Sequence, residues 1–143
     1  MARRQLLLRL QLQSNPEVLC GVRGAISPIA AAIGFNEDDC RAITLALDEA
    51  ITNVIRHAYG GKLGRNIEIQ FNKLNGAGGE KPALEIVLLD RGAKPKPGAF
   101  KGLPPGELRS GGLGLHFMRQ SMDKVVHTRA GSANRLRLVK FIR

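Results

Sequence analysis

The chain has no tryptophan, one tyrosine and five phenylalanines among 143 residues. So few rings leave no aromatic platform on which RNA bases would stack. They also mean that the core must be built from Leu, Ile, Val and Ala. There are only two cysteines, Cys20 and Cys40. They are too few and too far apart for a zinc site or a CxxC redox pair, so they are expected to be two buried thiols of a cytoplasmic protein. No apolar run approaches the ~18–20 residues of a membrane span. "MARRQLLLRLQLQ" carries the early positive charge of a secretory leader. Its apolar stretch is broken by Arg9 and Gln11, and no small-residue cleavage site follows, so it reads as part of the fold. Acidic residues are scarce, 12 against 22 Lys and Arg, and the formal charge is +10. Such a surface suits nucleic acid, a nucleotide or an acidic protein, and charge alone does not choose among them. What is present is 43% hydrophobic residues, enough for a real core in one domain spanning 1–143.

Leu6, Leu8, Leu10 and Leu12 recur with a period of two, which predicts a half-buried strand. "SNP" at 14–16 is a turn, and helical spacing runs from Glu17 to Ile33, with Gly34 as its stop. Asn36 is the predicted N-cap of a second helix, with Glu37, Asp38 and Asp39 in its first turn and Gly60–Gly61 ending it after Tyr59. "NIEIQF" (66–71) alternates as a strand with one wet face. "ALEIVLLD" (83–90) is apolar at nearly every position, as a central strand covered on both sides would be. "NGAGG" (75–79) is the turn between them. A basic, Gly- and Pro-rich segment from Arg91 to Gly112 is long enough to be a lid. A short helix (113–122) and two strands (124–129 and 135–142) complete the chain. The order predicts an α+β two-layer sandwich: a mixed, mostly antiparallel sheet with about three helices on one face.

Three stretches carry chemistry. In "ALDEAITNVIRHAYGG", Ile43, Leu47, Ala50, Ile51, Val54 and Ala58 fall on one side of a helix. Glu49, Asn53 and Arg56 fall on the other, flanked by Thr52 and His57. Solvation explains a polar stripe, but mid-helix Asn is a weak helix former with no capping role there. A carboxylate and an amide oxygen one turn apart are also hard ligands of the kind Mg2+ accepts. In "LLDRG", Asp90 ends a buried strand and can accept a hydrogen bond from an exocyclic amine such as that of adenine. Gly92 lets a flat ring approach the backbone. The plainer reading is an Asp that starts a turn. In "RSGGLGLHFM", glycines lead into a helix, so that free backbone N–H groups form an anion site or, more simply, a hinge. Arg91, Lys94, Lys96, Lys101 and Arg109 make the connecting segment basic enough to cover a polyphosphate.

Taken together, "LALDEAITNVIRHAY", "LLDRG" and "GGLGLHFMRQSMDKV" resemble the N, G1 and G2 boxes of the GHKL (Bergerat-fold) ATPase superfamily. The branch they most resemble is that of the bacterial anti-sigma factors that are serine/threonine protein kinases. The resemblance spans nearly the whole chain, including "NRLRLVK", and implies the histidine-kinase-like ATPase fold. It implies Glu49 as general base and Asn53 as the Mg2+ ligand. Asp90 and Gly92 would hold adenine, Gly112, Leu113 and Gly114 would wrap the phosphates of ATP, and Arg109 would stand near the γ-phosphate. It further implies a cytoplasmic homodimer that phosphorylates a STAS-domain anti-anti-sigma protein and otherwise restrains a sigma factor. The chain departs from the superfamily in two places: Asp90-Arg91-Gly92-Ala93-Lys94 replaces DxGxG, and "GSAN" replaces a Gly-Thr pair. The second departure leaves a contact near adenine to another residue, such as Thr128. His57 is read as structural.

Two other readings compete. One is an ATP-binding module that sequesters a partner without phosphorylating it. The other is a nucleic-acid-binding protein, for which no basic helix-turn-helix, zinc finger or aromatic platform is visible. The expectation is therefore no direct nucleic-acid contact and no membrane contact.

Overall fold

The computed structural model describes residues 3–76, 80–95 and 118–143. Five strands form one sheet: β1 (Arg3–Gln13), β2 (Asn66–Asn75), β3 (Ala83–Asp90), β4 (Lys124–Ala130) and β5 (Ala133–Phe141). Their spatial order is β1-β2-β3-β5-β4, and every pair of neighbours is antiparallel. β3, the most apolar strand, lies in the middle, as its nearly continuous apolar residues lead one to expect. Two helices, α1 (Leu19–Ala32) and α2 (Glu37–Asn53), cross one face of the sheet, and residues 118–121 form a further helical turn. Among the described residues, no helix is long and apolar enough to cross a membrane.

The core lies between the helices and that face. Ile26, Ile43, Leu47 and Ile51 pack with Ile69, Phe71, Ile86, Leu88 and Leu138, each at most 1% exposed. Burying one such side chain contributes roughly 1.5–3 kcal/mol. Val54 extends the stripe, and Ala58 packs against its edge. The expected apolar side of α2 is therefore the buried side. Its start is fixed by Asn36, whose side-chain oxygen accepts the Asp39 N–H at 2.8 Å. Three acidic residues in the first turn favour the positive end of the helix dipole.

Two expectations change. The pairing of β1 with β2 slips between Leu6 and Leu8. This bulge leaves Leu8, Leu10 and Leu12 on the core but Leu6 49% exposed. An extra residue in a strand reverses the side that preceding residues face. Cys40 is buried as expected, and burial, together with the charges of Asp39 and Glu37, pushes its thiol pKa up. Cys20 is exposed, because it lies on the outer side of α1.

Ser14, fully buried, closes the turn before α1 against residues 62–65. Its hydroxyl donates to the Lys62 carbonyl at 2.7 Å and accepts the Arg65 N–H at 2.9 Å. This polar clasp holds the end of β1 beside the start of β2, close to where α2 ends.

Candidate functional site

The helix expected to reach Tyr59 does so by changing its pitch. Asn53 is the last residue of α2, and Val54–Ala58 form a π-helical turn. The Tyr59 N–H bonds the Val54 carbonyl at 2.9 Å, and the Gly61 N–H bonds that of Ile55 at 2.8 Å. Wide turns of this kind recur at functional sites. Gly60 and Gly61, both at positive φ, then turn the chain away. Glu49 and Asn53 are one turn apart and half-buried. Neither side chain bonds or pairs with any described residue. Thr52 is half-buried too, while Arg56 and His57 are exposed. His57, read as structural, lies in the last turn of this helical segment and makes no hydrogen bond to a described residue.

Asp90 ends β3 on the helix-covered face and is 7% exposed. Its Oδ1 accepts the Gly92 N–H at 2.9 Å and the Asn134 side-chain amide at 2.8 Å. Its Oδ2 has no partner among the described residues. Gly92 is needed for a reason that the sequence did not disclose. A Cβ there would fall 2.4 Å from the Ala58 carbonyl oxygen and 2.7 Å from the Ala58 Cβ. The following residue is tied to the same carbonyl, with Ala93 N–H to Ala58 O at 2.7 Å. The Tyr59 hydroxyl adds a third link, since it donates to the Asn66 carbonyl and accepts the Arg91 N–H. The chain just past Asp90 is thus fastened to the end of the helical segment that carries Glu49 and Asn53.

Sequence reasoning missed Asn134 and Arg129. Asn134 is 3% exposed and faces Asp90 in the β3–β5 register. Arg129 donates to Asn134 Oδ1 at 2.8 Å and to the Gly92 carbonyl at 3.0 Å. His127 Nε2 lies 3.3 Å from the same Asn134 oxygen. The signal was available, because Asn134 shares the period of Leu136 and Leu138, and an amide on a buried face needs partners. Thr128 does not take this place. It pairs with Arg135, one residue out of step with Arg129, so alternation directs it to the opposite face of the sheet. Arg109, Gly112, Leu113 and Gly114, with Lys96 and Lys101, lie outside the described residues.

A second buried carboxylate behaves differently. Glu85 is completely buried on the helix-free face. It meets Arg4 at 2.8 Å, Arg137 at 2.5 Å and the Asn72 amide at 2.9 Å. Burial pushes its pKa up, but the hydrogen bonds from Arg137, Asn72 and Arg4 outweigh it and hold the carboxyl below the usual range. Among the described residues, no three His, Cys, Asp or Glu side chains gather as a metal cage. A cation at Asn53 would need phosphate and water to complete its shell, which is how Mg2+ is commonly held.

Comparison with known proteins agrees with this arrangement. Residues 12–140 match the model of the histidine kinase-like ATPase domain. The serine-protein kinase RsbW of Bacillus pumilus is 29% identical, over 95% of this chain and 86% of its own. The RsbW of Halalkalibacterium halodurans is 30% identical, over 82% of this chain and 73% of its own. A crystal structure of the RsbU and RsbW domains of a Mycobacterium tuberculosis protein shares the fold, with a TM-score of 0.63 at 16% identity. That alignment covers 95% of this chain and about a third (33%) of the longer one. With the sheet order, the α2 stripe and the Asp90 end of β3 in place, the chain belongs to the histidine kinase-like ATPase domain family.

Proposed function

We propose that residues 1–143 form one ATPase domain that acts as a Mg·ATP-dependent serine/threonine protein kinase and anti-sigma factor. The observation that carries this reading is that three polar side chains with unfilled bonding positions among the described residues stand on linked elements. Among the described residues, Glu49 and Asn53 are half-buried and without partners on α2, and one oxygen of Asp90 has no partner where Gly92 and Ala93 meet Ala58. The family match and the names of the RsbW relatives support the same assignment.

In this reading Asp90 accepts a hydrogen bond from the adenine amine, and Gly92 keeps the neighbouring backbone close. Asn53 is a ligand for Mg2+. Gly112, Leu113 and Gly114 supply backbone N–H groups to the phosphates, with Arg109 beside the γ-phosphate. Bound ATP supplies the phosphoryl group. Glu49 accepts the proton of the incoming serine or threonine hydroxyl, a contribution of about 10²–10⁴ in rate. Phosphoryl transfer depends mainly on such positioning and charge compensation, which suits a site with few reactive groups.

The protein substrate is a STAS-domain anti-anti-sigma protein, the alternative partner is a sigma factor, and the active form is a cytoplasmic homodimer. Nucleotide state and phosphorylation shift which partner binds better. The net charge of +10 complements ATP and an acidic protein surface.

Calorimetry of ATP and ADP, with and without Mg2+, tests the site on the wild type and on Asn53→Ala. Binding should need Mg2+ and collapse in the variant, and a wild type that binds neither nucleotide sinks the reading. Glu49→Gln then separates kinase from sequestering module. Transfer to the partner should stop while partner binding persists, whereas signalling that survives this change would make the kinase role superfluous.

A further inference from the structure

Asn134 sits between a group that can only accept and a group that can only donate. On one side is the Asp90 carboxylate, 2.8 Å from Asn134 Nδ2. On the other is the Arg129 guanidinium, 2.8 Å from Asn134 Oδ1. A guanidinium has no acceptor and a carboxylate no donor, so one orientation of the amide satisfies both and the flipped one satisfies neither. His127 Nε2, 3.3 Å from the same oxygen, reinforces this orientation when that nitrogen carries the proton. The second amide hydrogen reaches the Ala93 carbonyl at 3.1 Å. Asn134 is thereby locked at both ends, across β4, β5 and the chain after β3.

The consequence falls on Asp90. Its Oδ1 receives two donors, Gly92 N–H and Asn134 Nδ2, while Oδ2 has no partner among the described residues. We infer that Asn134 is the positioning residue that makes Asp90 selective: by holding Oδ1, it leaves Oδ2 as a fixed acceptor for a base bearing an exocyclic amine. This rests on the nucleotide-binding reading above. A base with a carbonyl at that position would set two acceptors against each other, and a base with hydrogen there would leave the carboxylate oxygen unpaired. Without Asn134 the carboxyl group could rotate toward Arg129, and the acceptor would no longer be fixed. Arg129 acts through Asn134 and the Gly92 carbonyl, to which it also donates at 3.0 Å.

The test compares ATP with purine riboside triphosphate, which lacks only the amine, by calorimetry with Mg2+. The wild type should prefer ATP by about tenfold to a hundredfold, the range for one hydrogen bond to a charged group. In Asn134→Ala this preference should fall to within about threefold, with the affinity for purine riboside triphosphate retained. Asn134→Thr, whose hydroxyl can still donate to Asp90, should restore part of the preference. Arg129→Met alters a partly exposed side chain and keeps the buried amide. It should lower the preference by about threefold, the scale of one weakened hydrogen bond, and it carries the test if Asn134→Ala does not fold. An ATP preference unchanged in Asn134→Ala, or in Arg129→Met where that variant carries the test, overturns the inference, as does equal weakening toward both nucleotides. A wild type that binds ATP without preferring it overturns the inference alone. A wild type that binds neither nucleotide overturns the nucleotide-binding reading as well.

Discussion

Two carboxylates are buried on β3, five residues apart and on opposite faces of the sheet, and they have been put to different uses. Glu85 lies on the helix-free face with both oxygens taken, by Arg4, Arg137 and Asn72. Asp90 ends the strand on the helix-covered face with one oxygen taken twice and the other untaken by any described residue. Burial alone therefore does not distinguish a binding group from a structural one. The distinction lies in the count of lone pairs left over. Glu85 is a closed account among its three partners, and its arginines fasten β1 and β5 to the central strand. Asp90 is held just firmly enough to aim what remains.

The largest effect expected from breaking this contrast is at Arg137. Arg137→Met leaves a buried carboxylate with fewer donors and should cost on the order of 3 kcal/mol in urea denaturation. Nucleotide affinity should stay within about twofold if the two ends of β3 are as separate as their faces imply. A fall in affinity that tracks the fall in stability would show them to be coupled. Next is Gly92→Ala, whose new Cβ would collide with Ala58 backbone. It should lose about 1–3 kcal/mol in the same experiment, and ATP binding should weaken too, since the Gly92 N–H helps to hold Asp90. Asp90→Asn sharpens the comparison from the other side. An amide can still accept from Gly92, so stability should change by less than about 1 kcal/mol. ATP affinity, measured by calorimetry, should nonetheless drop about tenfold, equivalent to about 1.4 kcal/mol.

The smallest effect at neutral pH is the acid sensitivity of the Glu85 cluster. Its folded-state pKa lies below the ordinary 4.5. The stability it contributes is thus fully present above 4.5 and is lost as pH falls through the lower folded value. Removing Arg137 takes away a group that lowers this pKa, so the acid-induced loss should be shallower in Arg137→Met than in the wild type. Denaturation midpoints between pH 6 and 3 measure this directly, and parallel profiles for the two proteins would contradict it.

Much of this was legible in the sequence because it is local. The alternation of "NIEIQF" and the mostly apolar "ALEIVLLD" placed strands where β2 and β3 lie. Asn36, followed by three acidic residues, marked the start of α2, and Gly60–Gly61 marked the end of the helical run. Glu49 and Asn53 stood out because an amide and a carboxylate one turn apart are unusual opposite an apolar stripe. Other features were not legible. The bulge that exposes Leu6 depends on pairing with β2, more than fifty residues away in the chain. The placement of Asn134 opposite Asp90 depends on the β3–β5 register, and that of Arg129 rather than Thr128 beside Asn134 depends on the β4–β5 register; a single-residue shift would reverse either.

The amino-acid sequence by itself determined the elements, the buried side of α2 and the residue types available for a site, since periodicity, capping and side-chain chemistry act over a few residues. The tertiary structure decided which of those residues meet. Only the packing of the end of α2 against the end of β3 explains why position 92 is glycine, because the obstructing atoms belong to Ala58. Only the sheet register makes Asn134 the partner of Asp90 and Arg129 the partner of Asn134, because hydrogen bonds are formed by proximity in space, and Asp90 and Asn134, 44 residues apart in the chain, become neighbours when the sheet closes around its core.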